Sequence, residues 1–366
     1  MPDVRRALVA VALPALLVGA CASDGDDTGD PTPEPEQTAD AAACEQPDDC
    51  PLRVVAGGAD VLIGTAVQSD LLESEPAYAE MVAAEFNSVT PENALKWDAV
   101  HPEPDTWTFE DADAIVDFAA EHDVAVKGHN LVWAQELVDS TPDWVEEIDA
   151  PDELRSALEE HITTVMEHFD TVDRWDVVNE PLQTTGTELY DNHFHRVLGP
   201  GYVAEAFEMA RSADPDAALY LNENIVEYSP GKRDAFVELV TDLVDDGVPI
   251  DGVGLQLHLV NGAPEAGVVS DLVETFTDLD LEVAITELDV PLRESDDLSS
   301  QAAVFDQVVE ECVGAGCRDV TLWGFTDKHT WIDSFLGPGL EPLILDDDYA
   351  PKPAYDALWQ VFAAQS

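Results

Sequence analysis

The stretch Arg174-Trp175-Asp176-Val177-Val178-Asn179-Glu180-Pro181 decides the fold. An aromatic and β-branched run closes on an amide, an acid and a proline, and proline cannot donate to a strand ladder, so the strand ends there. A short apolar run bounded in this way is the pattern of a strand covered on both faces, as in a parallel sheet. Seven further runs of the same kind stand at 61–67, 86–90, 125–128, 218–222, 252–257, 282–286 and 319–325. Amphipathic stretches lie between them, for example at 111–122, 151–169 and 299–313, and a last helix is expected at 355–362. Eight β-like runs alternating with helices give a (β/α)8 (TIM) barrel, a fold of about 250 residues plus insertions. The rival, an open doubly wound sheet, calls for a glycine-rich phosphate turn after its first strand, and Gly64-Thr65-Ala66-Val67 is not one.

The 366 residues are 45% hydrophobic, which excludes wholesale disorder, and the 21 glycines exclude collagen. Against 78 Asp and Glu stand only 15 Lys and Arg, a net charge of −63. A nucleic acid would be repelled and is not expected as a partner. Residues 1–20 read as an export signal: Arg5 and Arg6 precede an apolar run at 7–18, too short to span a bilayer in the mature protein. Small residues then lead to Cys21, as in a bacterial lipoprotein signal, so Cys21 is expected to carry lipid and to tether the protein outside the cell, at a membrane surface, by that anchor alone. Residues 21–51 are rich in Asp, Glu, Thr and Pro and read as an extended spacer, leaving 52–366 as the catalytic domain. The other cysteines fall into close pairs, Cys44 with Cys50 and Cys312 with Cys317; short-loop disulfides suit an exported chain, with reduced buried thiols as the alternative. No motif calls for a metal or a cofactor, and a monomer is expected.

In such a barrel, chemistry collects where the strands end. Those ends read Thr90-Pro91-Glu92-Asn93, followed by Lys96; Gly128-His129-Asn130-Leu131-Val132-Trp133; Asn179-Glu180; Asn222-Glu223-Asn224; Gln256-Leu257-His258; and Thr286-Glu287-Leu288-Asp289, with Trp323 and Trp331 after the last run. Amides, acids and indoles at one rim are what a carbohydrate cleft needs, for hydroxyls and sugar faces respectively. Glu180 and Glu287 close strands on opposite sides of the barrel, so both carboxyl groups can face one cleft. Glycosidic cleavage needs such a pair: one to protonate the leaving oxygen, one to attack the anomeric carbon or activate water.

Trp175-Asp176-Val177-Val178-Asn179-Glu180-Pro181, Thr286-Glu287-Leu288-Asp289, Gly128-His129-Asn130-Leu131-Val132-Trp133 and Leu322-Trp323-Gly324-Phe325-Thr326-Asp327-Lys328 together resemble glycoside hydrolase family 10, the retaining endo-β-1,4-xylanases. The resemblance runs in order from about Gly64 to Trp359. It implies xylan as substrate, Glu287 as nucleophile and Glu180 as acid/base, in a double displacement with the carboxyls about 5–5.5 Å apart. Glu287 must be ionised to attack, and Glu180 must carry a proton until the leaving group departs. The resemblance further implies that His258 and Asp289 position the nucleophile, and that Asn179 bonds the sugar 2-hydroxyl. It implies sugar contacts from Glu92, Asn93, Lys96, His129, Trp133 and Gln256, with Trp323 and Trp331 as an aromatic wall. Asn222 carries over more weakly.

Two departures stand out. Relatives have a His directly after the third-strand Trp, where this chain has Ala134 followed by Gln135-Glu136-Leu137-Val138. The fifth-strand motif Asn222-Glu223-Asn224 is also shorter than the family's. The alternatives to a xylanase are a barrel enzyme acting on another β-glucan and a barrel that binds sugar without cutting it, the latter disfavoured because both glutamates are present. Xylan does not call for so acidic a surface. Runs such as Asp346-Asp347-Asp348 and 242–246 would self-repel in dilute buffer and be screened at molar salt, where the Debye length is about 3 Å, so tolerance of high salt is expected.

Overall fold

The computed structural model describes Cys44, residues 46–47 and residues 50–135, 141–293 and 296–365. The expected leader, Cys21 and most of the spacer lie outside the described residues. Eight parallel strands form a closed barrel in chain order: β1 (Leu62–Val67), β2 (Ser88–Pro91), β3 (Ala125–Trp133), β4 (Arg174–Asn179), β5 (Ala218–Glu223), β6 (Gly252–Leu255), β7 (Glu282–Leu288) and β8 (Asp319–Leu322). β8 closes on β1 through Leu62↔Asp319 to Thr65↔Leu322. Helices between the strands cover the cylinder, among them Glu110–Glu121, Pro151–His168 and Leu298–Ala315. Val89, Val177, Leu219, Val253, Ile285 and Val320 are buried in this sandwiched layer, which is why the strands read as unbroken apolar runs rather than alternating ones.

Helix ends follow local chemistry. Asp297 accepts from the backbone N–H groups of Ser299 and Ser300, and Ser300 returns a bond to Asp297, so this capping box starts Leu298–Ala315. Gly316, at φ 117°, ends it, and the Cys312–Cys317 disulfide spans that turn. A second disulfide joins Cys44 to Cys50, whose carbonyl accepts from the Trp359 indole at 3.0 Å. The final helix, Pro353–Gln365, packs against Leu52–Gly58 and Leu298–Ala315.

Inside the cylinder the layers are polar as well as apolar. Arg174 pairs with Asp319 and donates to the Ser88 hydroxyl at 3.0 Å, tying β4, β8 and β2 together in the layer where these strands begin. One layer higher, Lys127 lies 3.0 Å from Asp176 and 4.5 Å over the Tyr220 ring. These ions are out of water and are tolerable only because each is paired.

Several strand limits differ from those expected. The third strand does not stop at Gly128 but pairs on to Trp133, with a register shift between His129 and Val132. The polar residues that break the apolar run face the barrel mouth while the backbone ladder continues. Conversely, β6 and β8 end at Leu255 and Leu322, short of 257 and 325, because Leu257 (φ 56°) and Gly324 (φ 96°) turn the chain out of the extended region.

Candidate active site

Glu180 and Glu287 are carried by the ends of β4 and β7, and both are buried. Glu180 adopts φ 55°, in the left-handed region that non-glycine residues rarely occupy. Such backbone costs about 1–3 kcal/mol and persists where the surroundings over-determine it, typically at functional sites. The bend turns the carboxyl over the barrel mouth just before Pro181 leads the chain away.

A continuous run of hydrogen bonds joins the two carboxyls. Gln256 Nε2 donates to Glu180 Oε1 at 2.9 Å and to Asn179 Oδ1 at 3.2 Å. Asn222 Nδ2 donates to the same Asn179 Oδ1 at 2.8 Å and to Glu287 Oε1 at 2.6 Å. Thr286 fixes which way the Asn222 amide points, its hydroxyl donating to Oδ1 at 2.7 Å. The glutamates therefore belong to one pocket, set across a frame of three amides from β4, β5 and the end of β6. Gly254 makes room for that frame: a Cβ there would lie 2.2 Å from Asn222 Oδ1.

His258 bridges the other side of Glu287. Its Nε2 lies 3.0 Å from Glu287 Oε2 and its Nδ1 lies 2.8 Å from Asp289 Oδ2. The Trp331 indole donates to the same Asp289 oxygen at 2.8 Å. Burial alone would discharge the imidazole, but the two carboxylates outweigh it and push His258 up to about 10. Burial likewise works against the charge on Glu287, yet the His258 hydrogen bond, with the His129 and His258 imidazoles nearby, holds it below the usual carboxylate range. Glu287 is thus kept ionised in an enclosed site, the state a nucleophile needs.

The remaining sequence-predicted residues close around this centre. The edge of the His129 ring approaches Trp323 (centroids 5.1 Å apart), while Asp176 Oδ2 fixes its Nδ1 at 2.9 Å. Trp323 also faces His258 edge-on, with centroids 6.2 Å apart, and Trp331 tilts over the same imidazole at 4.8 Å. Lys96 lies 4.6 Å over the Trp133 ring and donates to Asn93 Oδ1 at 2.8 Å. Burial lowers the Lys96 ammonium, and Glu287, Glu92 and Glu180 oppose that shift, as expected of a cation sharing the mouth with all three. Glu92 accepts from Gln68 at 2.9 Å, and burial pushes its carboxyl up.

Sequence reasoning undervalued Asn222, which touches Glu287 directly, and missed three others. Gln135, two residues after Trp133, donates its side-chain amide to Glu180 Oε2 and lies 3.5 Å from the Thr184 hydroxyl. Glu223 is fully buried and paired with Lys232 at 2.9 Å, and it also accepts from the backbone of Leu182 at 2.9 Å, bracing the loop that follows Glu180. Asp176 had a usable signal, since a carboxylate inside an apolar strand must have partners pointing the same way.

A family model described as glycosyl hydrolase family 10 matches residues 52–361. The chain is 37% identical over 319 residues to endo-1,4-beta-xylanase B of Thermotoga neapolitana, covering 85% of this chain and 91% of that one. It is 34% identical to endo-1,4-beta-xylanase B of Paenibacillus barcinonensis, covering 82% and 94% of the two chains. Among solved structures it resembles xylanase 10B from Thermotoga petrophila RKU-1 in complex with xylobiose, with TM-score 0.80, 35% identity and coverage of 85% and 97%. With the match spanning the whole barrel, from the helix before β1 almost to the end of the last helix, the chain belongs to glycosyl hydrolase family 10.

Proposed function

We propose that this protein is a retaining endo-β-1,4-xylanase, with Glu287 as nucleophile and Glu180 as acid/base. The observation that carries the reading is the amide frame joining the two carboxyls, with an imidazolium against only one of them. That asymmetry divides the roles: the carboxylate paired with His258 stays charged and attacks, and the other serves as acid/base. In the first step Glu287 forms a bond to the anomeric carbon while Glu180 protonates the departing oxygen. In the second, Glu180 takes a proton from water, which displaces Glu287 from the sugar with net retention. Asn179, aimed into the pocket between the glutamates, suits the 2-hydroxyl; His129 and Lys96 suit the sugar on the non-reducing side, and Trp323 and Trp331 suit its flat faces. The xylanase relatives support xylan over other β-glycans. Initial rates on xylan are expected to exceed those on cellulose and mixed-linkage glucan by at least about 100-fold, a preference within reach of a few pocket contacts. The first product should be the β-anomer by proton NMR; a glucan preference or an α-anomer would sink the reading.

The same proposal extends to two further features. Residues 1–20 direct export and Cys21 carries the lipid, so radiolabelled palmitate is expected to enter the wild type and not Cys21→Ser; equal labelling would refute it. The charge of −63 is an adaptation to salt. Melting temperature and xylan turnover are expected to hold or rise between dilute buffer and about 1 M NaCl, where surface repulsion is screened. A fall in both would refute that account.

A further inference from the structure

Pro181 has no N–H to donate, so the bend that aims Glu180 over the barrel mouth is pinned through the amides on either side of it. Both are taken by β5. The Glu180 N–H donates to the Asn222 carbonyl at 2.8 Å, and the Leu182 N–H donates to the Glu223 carboxylate at 2.9 Å. The second Glu223 oxygen accepts from the Asn224 N–H at 2.9 Å and lies 2.9 Å from Lys232 Nζ, which also donates to Asn224 Oδ1 at 2.7 Å. Glu223 and Lys232 are both fully buried. Stability does not account for them, because taking both charges out of water costs about as much as their attraction returns. Lys232 also stands in the first turn of the helix Pro230–Asp245, started by the Ser229 cap, where the helix dipole disfavours a cation. What the lysine does secure is the direction of the Glu223 carboxylate.

We propose that Glu223 and Lys232 are positioning residues for the acid/base; this rests on the xylanase reading of the cleft. Lys232 aims the Glu223 carboxylate at the Leu182 amide, and that bond holds the left-handed Glu180 backbone in the turn from which its carboxyl meets the glycosidic oxygen. Gln135 and Gln256 bond the carboxyl itself, while the ion pair holds the backbone that carries it. Without the Leu182 bond the strained bend is free to relax. Proton transfer needs heavy atoms within hydrogen-bond reach, so a small drift of the bend suppresses it. Glu287 is carried by β7 and held by Asn222 and His258, so its attack does not depend on the Leu182 bond. The pair therefore acts on the steps that need a proton moved, and on those alone.

The test compares wild type with three variants. Glu223→Leu/Lys232→Met replaces the pair by apolar side chains of similar volume, an exchange that leaves buried pairs neutral or more stable, so circular dichroism and melting temperature should show the fold intact. Glu223→Asp keeps the charge but falls short of Leu182, and Glu223→Gln/Lys232→Met keeps an uncharged acceptor for that amide. On xylan, kcat is expected to fall about 30-fold in the first variant and about tenfold in Glu223→Asp, with KM unchanged, and to recover in the third to within about threefold of wild type. On an aryl β-xylobioside with a strongly acidic phenol, whose departure needs no proton, the first release of phenol should stay within about twofold of wild type throughout. A merely structural role would slow both reactions alike. Equal slowing of the two, an unchanged xylan rate in the first variant, or no recovery in the third would overturn the proposal. Should the first variant fail to fold, Glu223→Asp decides on the same split between substrates. If the wild type cleaved neither substrate, the xylanase reading itself would fall, a result distinct from all of these.

Discussion

Glu287→Gln is expected to reduce xylan turnover by about 10⁵-fold, the scale seen when a covalent nucleophile is removed. The substitution keeps the side chain's size and can still accept from Asn222 and meet His258, so the pocket and the fold should survive. What it loses is the electron pair that forms the glycosyl-enzyme. It also takes away one of the two carboxylates that hold His258 charged, so the imidazole, pushed up to about 10 in the wild type, should titrate at lower pH in the variant. Steady-state rates on xylan, the NMR titration of His258 and a circular dichroism spectrum together check the prediction. Turnover above about one hundredth of wild type, with the fold intact, would remove Glu287 from the chemistry.

Glu180→Ala should behave differently, because an acid/base serves the two steps unequally. On xylan the leaving group is a sugar alkoxide that needs its proton, and the loss should be about 10³- to 10⁴-fold. On an aryl xylobioside with a strongly acidic phenol, bond cleavage needs little help, so the glycosyl-enzyme should form within about tenfold of the wild-type rate and then accumulate, giving a burst of phenol. Azide, a nucleophile that needs no base, should relieve the stalled second step and yield a β-glycosyl azide. Equal losses on both substrates without a burst would count against the assignment. Gln135 and Gln256, which hold the two Glu180 oxygens in the wild type, would face a small cavity in the variant.

The barrel was legible because its strands are sandwiched: burial on both faces leaves each as an apolar run, and 174–179 reads to the residue. Strand ends were less legible. β3 continues past Gly128 through polar residues because backbone pairing does not depend on what the side chains face, and no periodicity marks the shift between His129 and Val132. The glutamates stood out because each terminates an apolar run at the functional rim. The frame between them did not, since Asn222 reads as one more strand-end amide until its partners are known. Its role depends on Thr286 orienting the amide and on Gly254 standing aside, both facts of three-dimensional neighbourhood. Gln135 was hidden for another reason: it lies just past Trp133, the last residue of its motif, so no motif pointed to it.

Asn179, Asn222 and Gln256 contain no group that gains or loses a proton in the range where the enzyme would work. The scaffold that sets the spacing of the reacting acids is therefore indifferent to acidity. Charge can come and go on either side of it without any proton being added to or taken from the three amides.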